Sequence, residues 1–189
     1  RGRMAAHIGA GATPPQTLGG QAKPARSLAT PHPGNYPQGA MFGVAFGQMT
    51  HTALCYLGNR VGGLRMTPWR MMLAEGMREM PVQQEFITHA DDPILRVVAC
   101  SGAPRCRQAH ADTRAIAAAL APHIVPGTRL HVSGCAKGCA HAGPASITLV
   151  ATSEGFDLVR CGSTRDAPVL RGLSGENILN NPSVVLGGS

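Results

Sequence analysis

The sequence predicts an α+β protein built of two strand–helix–strand units, the first over residues 33–80 and the second over residues 90–189. Three observations predict it. Short runs of Val, Ile, Leu and Met typical of buried strands flank one helical pattern in each unit. Glycine and proline separate these segments. In the second unit, two strands run directly into cysteine pairs. Residues 1–32 have no strand or helix period and are predicted to form a flexible arm or linker.

The first unit begins with a predicted buried strand over residues 40–46. Thr50 is the predicted N-cap of the following helix, in which Ala53, Leu54 and Leu57 fall on one face. Two glycines end this helix, and the segments "LRMT" and "WRMMLA" are predicted to be short strands around a proline. The order of these elements predicts a β-α-β unit.

The second unit begins with a predicted strand over residues 94–99. Asp112 is placed to cap a helix in which Ile116, Leu120 and Ile124 recur at four-residue steps. A second strand, "RLHVSG", follows that helix, and "ASITLVA" with "FDLVR" predicts a hairpin. The helix supplies the crossover that two parallel strands need.

The composition favours a polycarboxylate ligand over a nucleic acid. The formal net charge is +7, hydrophobic residues make up 43% of the chain, and the basic residues are dispersed rather than clustered. With only 4% aromatic residues there are few base-stacking platforms, so nucleic-acid binding is not expected. Dispersed arginines suit a polycarboxylate ligand better, because each guanidinium binds a carboxylate in fork geometry.

The given sequence contains no recognisable pattern for a membrane span, a signal peptide or a dinucleotide-binding loop. No apolar run is long enough for a membrane span, so no membrane association is expected. The first residues lack the apolar core of a signal peptide, and a cytoplasmic location is expected. No G-x-G-x-x-G motif follows a predicted strand, so NAD(P)H is not expected to bind here.

Two cysteine pairs stand at the ends of the two predicted parallel strands. Cys100 and Cys106 are spaced C-x5-C, and Cys135 and Cys139 are spaced C-x3-C. Parallel neighbouring strands bring their carboxyl ends to one edge of a sheet. Four thiols are therefore expected to meet there.

Four thiolates at one point are ligands for zinc or for an iron–sulfur cluster. The C-x5-C spacing is wider than the knuckle typical of structural zinc, and Gly102, Gly134 and Gly138 allow backbone N–H groups to approach cluster sulfurs. The pattern favours a 4Fe–4S cluster, with zinc, unligated redox thiols and disulfides as the alternatives. Cys55 and Cys161 lie outside the pairs and are expected to be small buried side chains.

C-x5-C followed about thirty residues later by C-x3-C resembles the cluster motif of the sulfite and nitrite reductase family. The segments "HVSGCAKGCAHAGPASITLV" and "LRMTPWR" are most similar to the family's branch in aerobic cobalamin biosynthesis. The resemblance runs from about His32 onward and matches the C-terminal half of a duplicated architecture. It implies a ferredoxin-like β-α-β half-domain followed by a nitrite/sulfite reductase-type α/β 4Fe–4S domain.

The resemblance implies that Cys100, Cys106, Cys135 and Cys139 hold the cluster and that Cys139 faces a tetrapyrrole. It implies an oxygen-dependent monooxygenase that hydroxylates an anionic tetrapyrrole of corrin biosynthesis and closes a lactone on it, with electrons from an external donor. A cubane with four cysteine ligands has no open site for O2. A mononuclear non-haem iron, or direct reaction of O2 with the macrocycle, is therefore expected.

Several basic side chains are candidates for contacts with an anionic macrocycle. Arg65 and Arg70 are predicted to bind its carboxylates. Lys137 has the same prediction or neutralises the cluster, and Arg105 and Arg107 beside Cys106 share this ambiguity. The structural alternative for each is an ordinary salt bridge.

Histidines near the cysteine pairs are candidates for iron binding or proton transfer. His141, two residues after Cys139, is the predicted catalytic residue, and His110 and His131 flank the same site. The alternative for each is a histidine that is simply hydrogen-bonded near the loops.

Two other functions are consistent with the same residues. One is a sirohaem-dependent sulfite or nitrite reductase, with sirohaem as its prosthetic group. The other is a non-catalytic 4Fe–4S electron-transfer subunit of a split enzyme. The resemblance leaves out the family's N-terminal repeat, so a truncated gene product, one subunit of a split enzyme, and a homodimer that rebuilds the twofold arrangement are the alternatives.

Overall fold

The computed structural model describes residues 4–13 and 30–187. The chain divides into two compact units, residues 1–30 and residues 31–189. In the first unit, helix α1 spans Met4–Gly9. The predicted flexible arm over residues 1–32 lies largely outside the described residues, and its described part contains this helix.

The second unit contains two β-sheets with helices packed on them, so the chain is a mixed α+β protein as predicted. The first sheet has the strand order β1-β2-β4-β3, and β5 pairs with β2. All of its pairings are antiparallel. Its strands are β1 (Gly34–Tyr36), β2 (Gly39–Val44), β3 (Gly63–Met66), β4 (Met71–Glu75) and β5 (Phe86–Ile87).

Helix α2 (His51–Gly58) covers one face of the first sheet. It begins where predicted, because the Thr50 side chain accepts a hydrogen bond from the Ala53 backbone N–H at 3.2 Å. Ala53 and Leu57 are buried against the sheet, where the rings of Phe42 and Phe86 lie 4.7 Å apart. Leu54, predicted for the same face, is 48% exposed, so that part of the prediction is wrong.

The second sheet has the order β10-β9-β8-β7-β6. The pairs β6–β7 and β7–β8 are parallel, and the pairs β8–β9 and β9–β10 are antiparallel. This arrangement confirms the predicted parallel pair and the predicted hairpin. Its strands are β6 (Val97–Ala99), β7 (Leu130–Ser133), β8 (Ala145–Thr152), β9 (Gly155–Gly162) and β10 (Leu170–Leu173).

Helix α3 (Thr113–Leu120) is the crossover between β6 and β7. The Asp112 carboxylate accepts hydrogen bonds from the backbone N–H groups of Arg114 and Ala115 at 3.1 and 3.3 Å, and so caps the helix. Ile116 and Leu120 are buried against the second sheet, as predicted from their spacing. Helices α4 (Gly175–Asn180) and α5 (Ser183–Leu186) add Ile178 and Val185 to this core.

Two further predictions are corrected by the structure. Residues 94–96 belong to a 3-10 turn, Pro93–Arg96, rather than to the strand. The turn forms because Asp92 accepts from the Ile94 N–H, which begins a helical turn at Pro93. Cys55 and Cys161 are exposed rather than buried. None of the described helices is long and apolar enough to cross a membrane.

Candidate functional site

The two cysteine loops lie at one edge of the second sheet. Ala99 at the end of β6 is in register with Val132 near the end of β7, and these strands are parallel. The Cys100 backbone N–H extends the pairing by donating to the Val132 carbonyl oxygen at 3.3 Å. The chain therefore leaves the sheet at Cys100 and near Cys135 on the same side, as the sequence predicts.

Direct contacts hold the two loops together. The Gly134 N–H donates to the Cys100 sulfur at 3.2 Å, and the Gly134 carbonyl accepts from the His110 N–H at 2.9 Å. A Cβ atom on Gly134 would lie 2.6 Å from the Ala109 Cβ and 3.4 Å from the Cys100 sulfur. Glycine is required at this position because no side chain fits between the loops.

The first cysteine loop is also fixed to helix α3. The Thr113 hydroxyl donates to the Cys100 carbonyl oxygen at 2.8 Å and lies 3.8 Å from the Cys100 sulfur. Gly102 has φ of +62°, and a Cβ there would lie 2.7 Å from the Thr113 nitrogen. The Cys100 thiol therefore stands in a polar, closely packed setting.

The second cysteine loop turns at Gly138, whose φ is +63°. A Cβ on Gly138 would lie 2.7 Å from the Thr164 hydroxyl oxygen. That hydroxyl donates to the Ala136 carbonyl oxygen at 2.9 Å, which holds the loop against the chain after β9. Cys135 is partly exposed and Cys139 is exposed at the loop surface.

The residues of the two cysteine loops are suited to bind a metal ion or a cluster through thiolates. All four cysteines are free thiols, and the loop segments 100–111 and 134–144 contain basic but no acidic residues. Anionic thiolate ligands are favoured by such surroundings. Within residues 4–13 and 30–187, no three or more His, Cys, Asp or Glu side chains are grouped as a metal site. Ligation by the four cysteines therefore stays a prediction.

Arg70 connects the first sheet to the second cysteine loop. Its Nη2 atom donates to the Ala140 carbonyl oxygen at 3.0 Å, and Ala140 follows Cys139 in the chain. Its backbone has φ of 59°, a left-handed conformation that is rare outside glycine, and its carbonyl accepts from the Val44 N–H at 3.0 Å. Burial, Arg129 and Arg114 lower the pKa of the Arg70 guanidinium, in that order of size. Arg70 thus brings a positive charge from the first sheet to the second cysteine loop.

His131 and His141 lie together at this site. His131 points from β7, is fully buried, and meets the His141 ring edge to face, with ring centres 5.7 Å apart. Among the described residues, neither ring nitrogen of His131 has a hydrogen-bond partner. Burial, then His141, then Arg70 lower the pKa of His131 to about 4, so the ring is neutral near pH 7. The His141 Nε2 lies 3.1 Å from the Pro144 carbonyl oxygen.

The other predicted basic residues have different environments. Arg65 pairs with Glu75 on the first sheet, and its side chain is 70% exposed. Lys137, Arg107 and His110 are exposed on the cysteine loops. They lie in the same loop segments as the four thiols.

Two residues that no sequence pattern singled out, Gln48 and Arg114, also contact this region. Gln48 accepts hydrogen bonds from Arg105, at 3.2 Å, and from Arg114. Arg114 also has a buried Nε atom without a partner in the described part of the chain. No local pattern signals either role, because Gln48 and Arg114 are 66 residues apart in the chain.

The comparisons with known proteins agree with the predicted resemblance. The chain is 29% identical over 143 residues to precorrin-3B synthase of a Sinorhizobium species, an alignment that covers 67% of this chain and 31% of that protein. It is 31% identical over 109 residues to a nitrite reductase (NAD(P)H) of Neurospora crassa, covering 53% of this chain and 8% of that one. The chain therefore resembles part of each enzyme and spans less than two thirds of either.

Among solved structures, the chain is similar to the NirA protein of Mycobacterium tuberculosis, with a TM-score of 0.49 and 19% identity. That match covers 80% of this chain and 37% of NirA. No protein-family model matches the sequence.

Proposed function

We propose that the chain is the cluster-binding part of an iron–sulfur oxidoreductase of corrin biosynthesis that resembles precorrin-3B synthase. The observation that carries the proposal is the contact between Arg70 and Ala140, at 3.0 Å. It joins the arginine predicted to bind macrocycle carboxylates to the loop of Cys139. In the proposed architecture, a ferredoxin-like half-domain holds the tetrapyrrole against a nitrite/sulfite reductase-type 4Fe–4S domain.

Cys100, Cys106, Cys135 and Cys139 are the proposed ligands of the 4Fe–4S cluster. When bound, the cluster supplies single electrons received from an external donor. The chain's own contribution is to hold the loops and to set the charge around the thiolates. The Gly134 N–H donates to the Cys100 sulfur, and such hydrogen bonds stabilise the thiolate and tune a cluster's potential. Lys137 adds positive charge between two of the ligands.

The proposed substrates are precorrin-3A, an anionic tetrapyrrole, and O2. One oxygen atom of O2 enters the macrocycle as a hydroxyl group, and a ring acetate closes the lactone. The other oxygen atom leaves as water after taking up two electrons and two protons. Arg70 and Arg65 are proposed to bind carboxylates of the macrocycle, and His141 is proposed as the group that moves a proton beside it. A mononuclear non-haem iron is the proposed second cofactor, because the cluster itself has no open site.

The regions of the relatives that the alignments do not cover must also be supplied. The alignment covers 31% of the length of precorrin-3B synthase, which leaves 69% without a counterpart in this chain. A longer chain, a second subunit or a second copy of this chain is proposed to complete the tetrapyrrole pocket.

A sirohaem-dependent sulfite or nitrite reductase is the second proposal. The 31% identity over 109 residues to a nitrite reductase favours it. The two proposals share the four cysteines and differ in whether the tetrapyrrole is a substrate or a resident prosthetic group.

The spectrum of the anaerobically purified protein separates these proposals. A broad cluster absorption, with iron and acid-labile sulfide on the same sample, is expected for the oxygenase. Iron in excess of sulfide would support the mononuclear iron. Sharp macrocycle bands would instead support the sirohaem reductase. A colourless protein without iron would contradict both.

Addition of precorrin-3A, a chemical reductant and isotopically labelled dioxygen then tests turnover. The expected product carries one labelled oxygen atom. A cluster-loaded protein that leaves precorrin-3A unchanged, even with the missing regions supplied, would point to an electron-transfer subunit.

A further inference from the structure

Thr113 is a fully buried polar side chain at the first residue of helix α3, against the first cysteine loop. Its hydroxyl donates to the Cys100 carbonyl oxygen at 2.8 Å, and its oxygen lies 3.8 Å from the Cys100 sulfur. Helix α3 does not need this hydroxyl as a cap, because Asp112 accepts from the N–H groups of its first turn. Both contacts of the Thr113 hydroxyl among the described residues therefore go to Cys100.

The surroundings of the Thr113 hydroxyl leave it little freedom to move. A Cβ atom on Gly102 would lie 2.7 Å from both the backbone nitrogen and the hydroxyl oxygen of Thr113, so the loop backbone lies directly against this side chain. The Ala103 N–H donates to the Ala111 carbonyl oxygen at 2.9 Å and closes the loop just before the helix. Branching at Cβ restricts the rotation of threonine about its Cα–Cβ bond. The structure therefore holds the hydroxyl oxygen beside the sulfur.

Cys100 differs from the other cysteines of the two loops in the contacts of its sulfur. The Gly134 N–H donates to this sulfur at 3.2 Å, and the Thr113 hydroxyl is a second polar group within reach. Among the described residues, no hydrogen bond reaches the sulfurs of the other three, Cys106, Cys135 and Cys139. Groups from helix α3 and from the second cysteine loop thus converge on a single thiol.

A metal-bound sulfur changes the hydrogen bonding of the Thr113 hydroxyl. A thiol donates its own hydrogen, whereas a thiolate ligand is an acceptor only. The single hydrogen of the hydroxyl then has two acceptors within reach, the Cys100 carbonyl oxygen and the Cys100 sulfur. A hydrogen bond to a charged acceptor is stronger than one to a neutral acceptor. The hydroxyl therefore stabilises the sulfur more as the sulfur becomes more negative.

We propose that Thr113 is a positioning residue for Cys100 that raises the reduction potential of the bound cluster. The proposal rests on the proposed function, since it requires Cys100 to be a cluster ligand. One-electron reduction by an external reductant adds negative charge that the ligand sulfurs share. A donor at Cys100 stabilises the reduced state more than the oxidised state, and hydrogen bonds to sulfur are among the features that set cluster potentials. Loss of the hydroxyl should therefore lower the potential.

The midpoint potential of the cluster tests this proposal. It is measured on the anaerobically purified full chain by a mediated redox titration with dithionite, followed by electron paramagnetic resonance. Thr113→Val keeps a similar shape and removes the hydroxyl, so the equilibrium constant for one-electron reduction should fall about threefold to tenfold. A tenfold fall corresponds to about 59 mV for a one-electron couple. Thr113→Ser keeps the hydroxyl and should retain most of the wild-type potential.

Thr148→Val is the matched control for Thr113→Val. Thr148 is also fully buried, lies in strand β8 of the same sheet, and donates its hydroxyl to the Gly162 carbonyl oxygen at 2.8 Å. Both valine variants should lose a similar free energy of unfolding, because each removes one buried hydrogen bond. Only Thr113→Val should shift the potential. An unchanged potential in cluster-loaded Thr113→Val, or an equal shift in Thr148→Val, would overturn the proposal.

Alanine variants at the same two positions keep the test valid if Thr113→Val does not fold. A folded Thr113→Ala protein that loses the iron and sulfide retained by Thr148→Ala would support the positioning of Cys100, and a loaded one should show the lowered potential. Failure of this proposal is distinct from failure of the proposed function. A wild-type potential in loaded Thr113 variants overturns only the role of Thr113, whereas a wild-type chain without iron and sulfide overturns the proposed function and this proposal with it.

Discussion

The Arg70 guanidinium donates to the carbonyl oxygen of Ala140 at 3.0 Å, although the two residues are 70 positions apart in the chain. Arg70 lies immediately before β4 of the first sheet, and Ala140 lies in the loop of Cys139 beyond β7. The backbone of Arg70 is left-handed, with φ of 59°. A residue of one sheet therefore helps to fix the thiol-bearing loop of the other.

Replacing Arg70 by Gln should loosen the loop around Cys139. A hydrogen bond from a charged donor contributes about 1.5–3 kcal/mol, so amide exchange in residues 136–141 should become faster while exchange in strand β9 is unchanged. Hydrogen–deuterium exchange measures both. Arg65→Gln is the control, because Arg65 bonds Glu75 instead. Equal exchange in the wild type and in Arg70→Gln would show that the contact does not restrain the loop.

Local signals in the sequence predicted much of the second sheet. Ile116 and Leu120 recur with the helical period and are buried, and a cysteine pair follows each of the parallel strands β6 and β7. Short-range chemistry decides these features: a capping carboxylate, an apolar stripe and a crossover helix. The position of the cysteine loops could therefore be predicted from the order of residues alone.

Other features of the structure depend on tertiary contacts and on competing local signals, so the sequence pattern alone did not predict them. The 3-10 turn at Pro93–Arg96 replaced the first three residues of a predicted strand because a cap and a proline outweighed the apolar pattern. Leu54 and Cys55 are exposed because the sheet covers only the Ala53–Leu57 stripe of helix α2. The burial of His131 and the approach of Arg114 to Gln48 arise from long-range packing, for which a single sequence contains no periodic signal.

The close approach of the two cysteine loops predicts that Gly134→Ala is damaging. The new Cβ would lie 2.6 Å from the Ala109 Cβ, so one loop must move away from the other. Overpacking of this kind costs about 1–3 kcal/mol. The midpoint of thermal unfolding should fall, and bound iron should decrease. Gly62→Ala is the control, because nothing lies within 4 Å of a Cβ there. An unchanged unfolding midpoint and iron content in Gly134→Ala would contradict the prediction.

Cys139→Ser should remove most of the bound iron and acid-labile sulfide. Serine oxygen is a poor substitute for a thiolate at iron, so the cluster loses one of its four proposed ligands. Cys55→Ser is the matched control, because Cys55 is also an exposed thiol but lies on helix α2. Its iron and sulfide should equal those of the wild type. A Cys139→Ser protein with full iron, sulfide and cluster absorption would rule out Cys139 as a ligand.

The buried imidazole of His131 predicts that the free energy of unfolding falls in mild acid. Its pKa is about 4 in the folded protein against an ordinary 6.5, so the unfolded chain takes up a proton first as pH decreases. The stability is therefore complete above pH 6.5 and is lost progressively as pH falls toward 4. At roughly 1.4 kcal/mol per pKa unit, the loss is about 3 kcal/mol.

Urea unfolding at about pH 7 and about pH 5 measures about 2 kcal/mol of this loss, because about 1.5 of the pKa units lie in that interval. His131→Phe, which keeps an aromatic ring without the titrating nitrogens, should show a shallower dependence on pH than the wild type. His51→Asn, at an exposed histidine, should retain the wild-type dependence. Proton NMR of the His131 ring provides a second measurement that needs no variant. Protonation of that ring in the folded protein near pH 6.5 would contradict the prediction, because a ring that charges so readily would not be held neutral by burial beside Arg70 and His141.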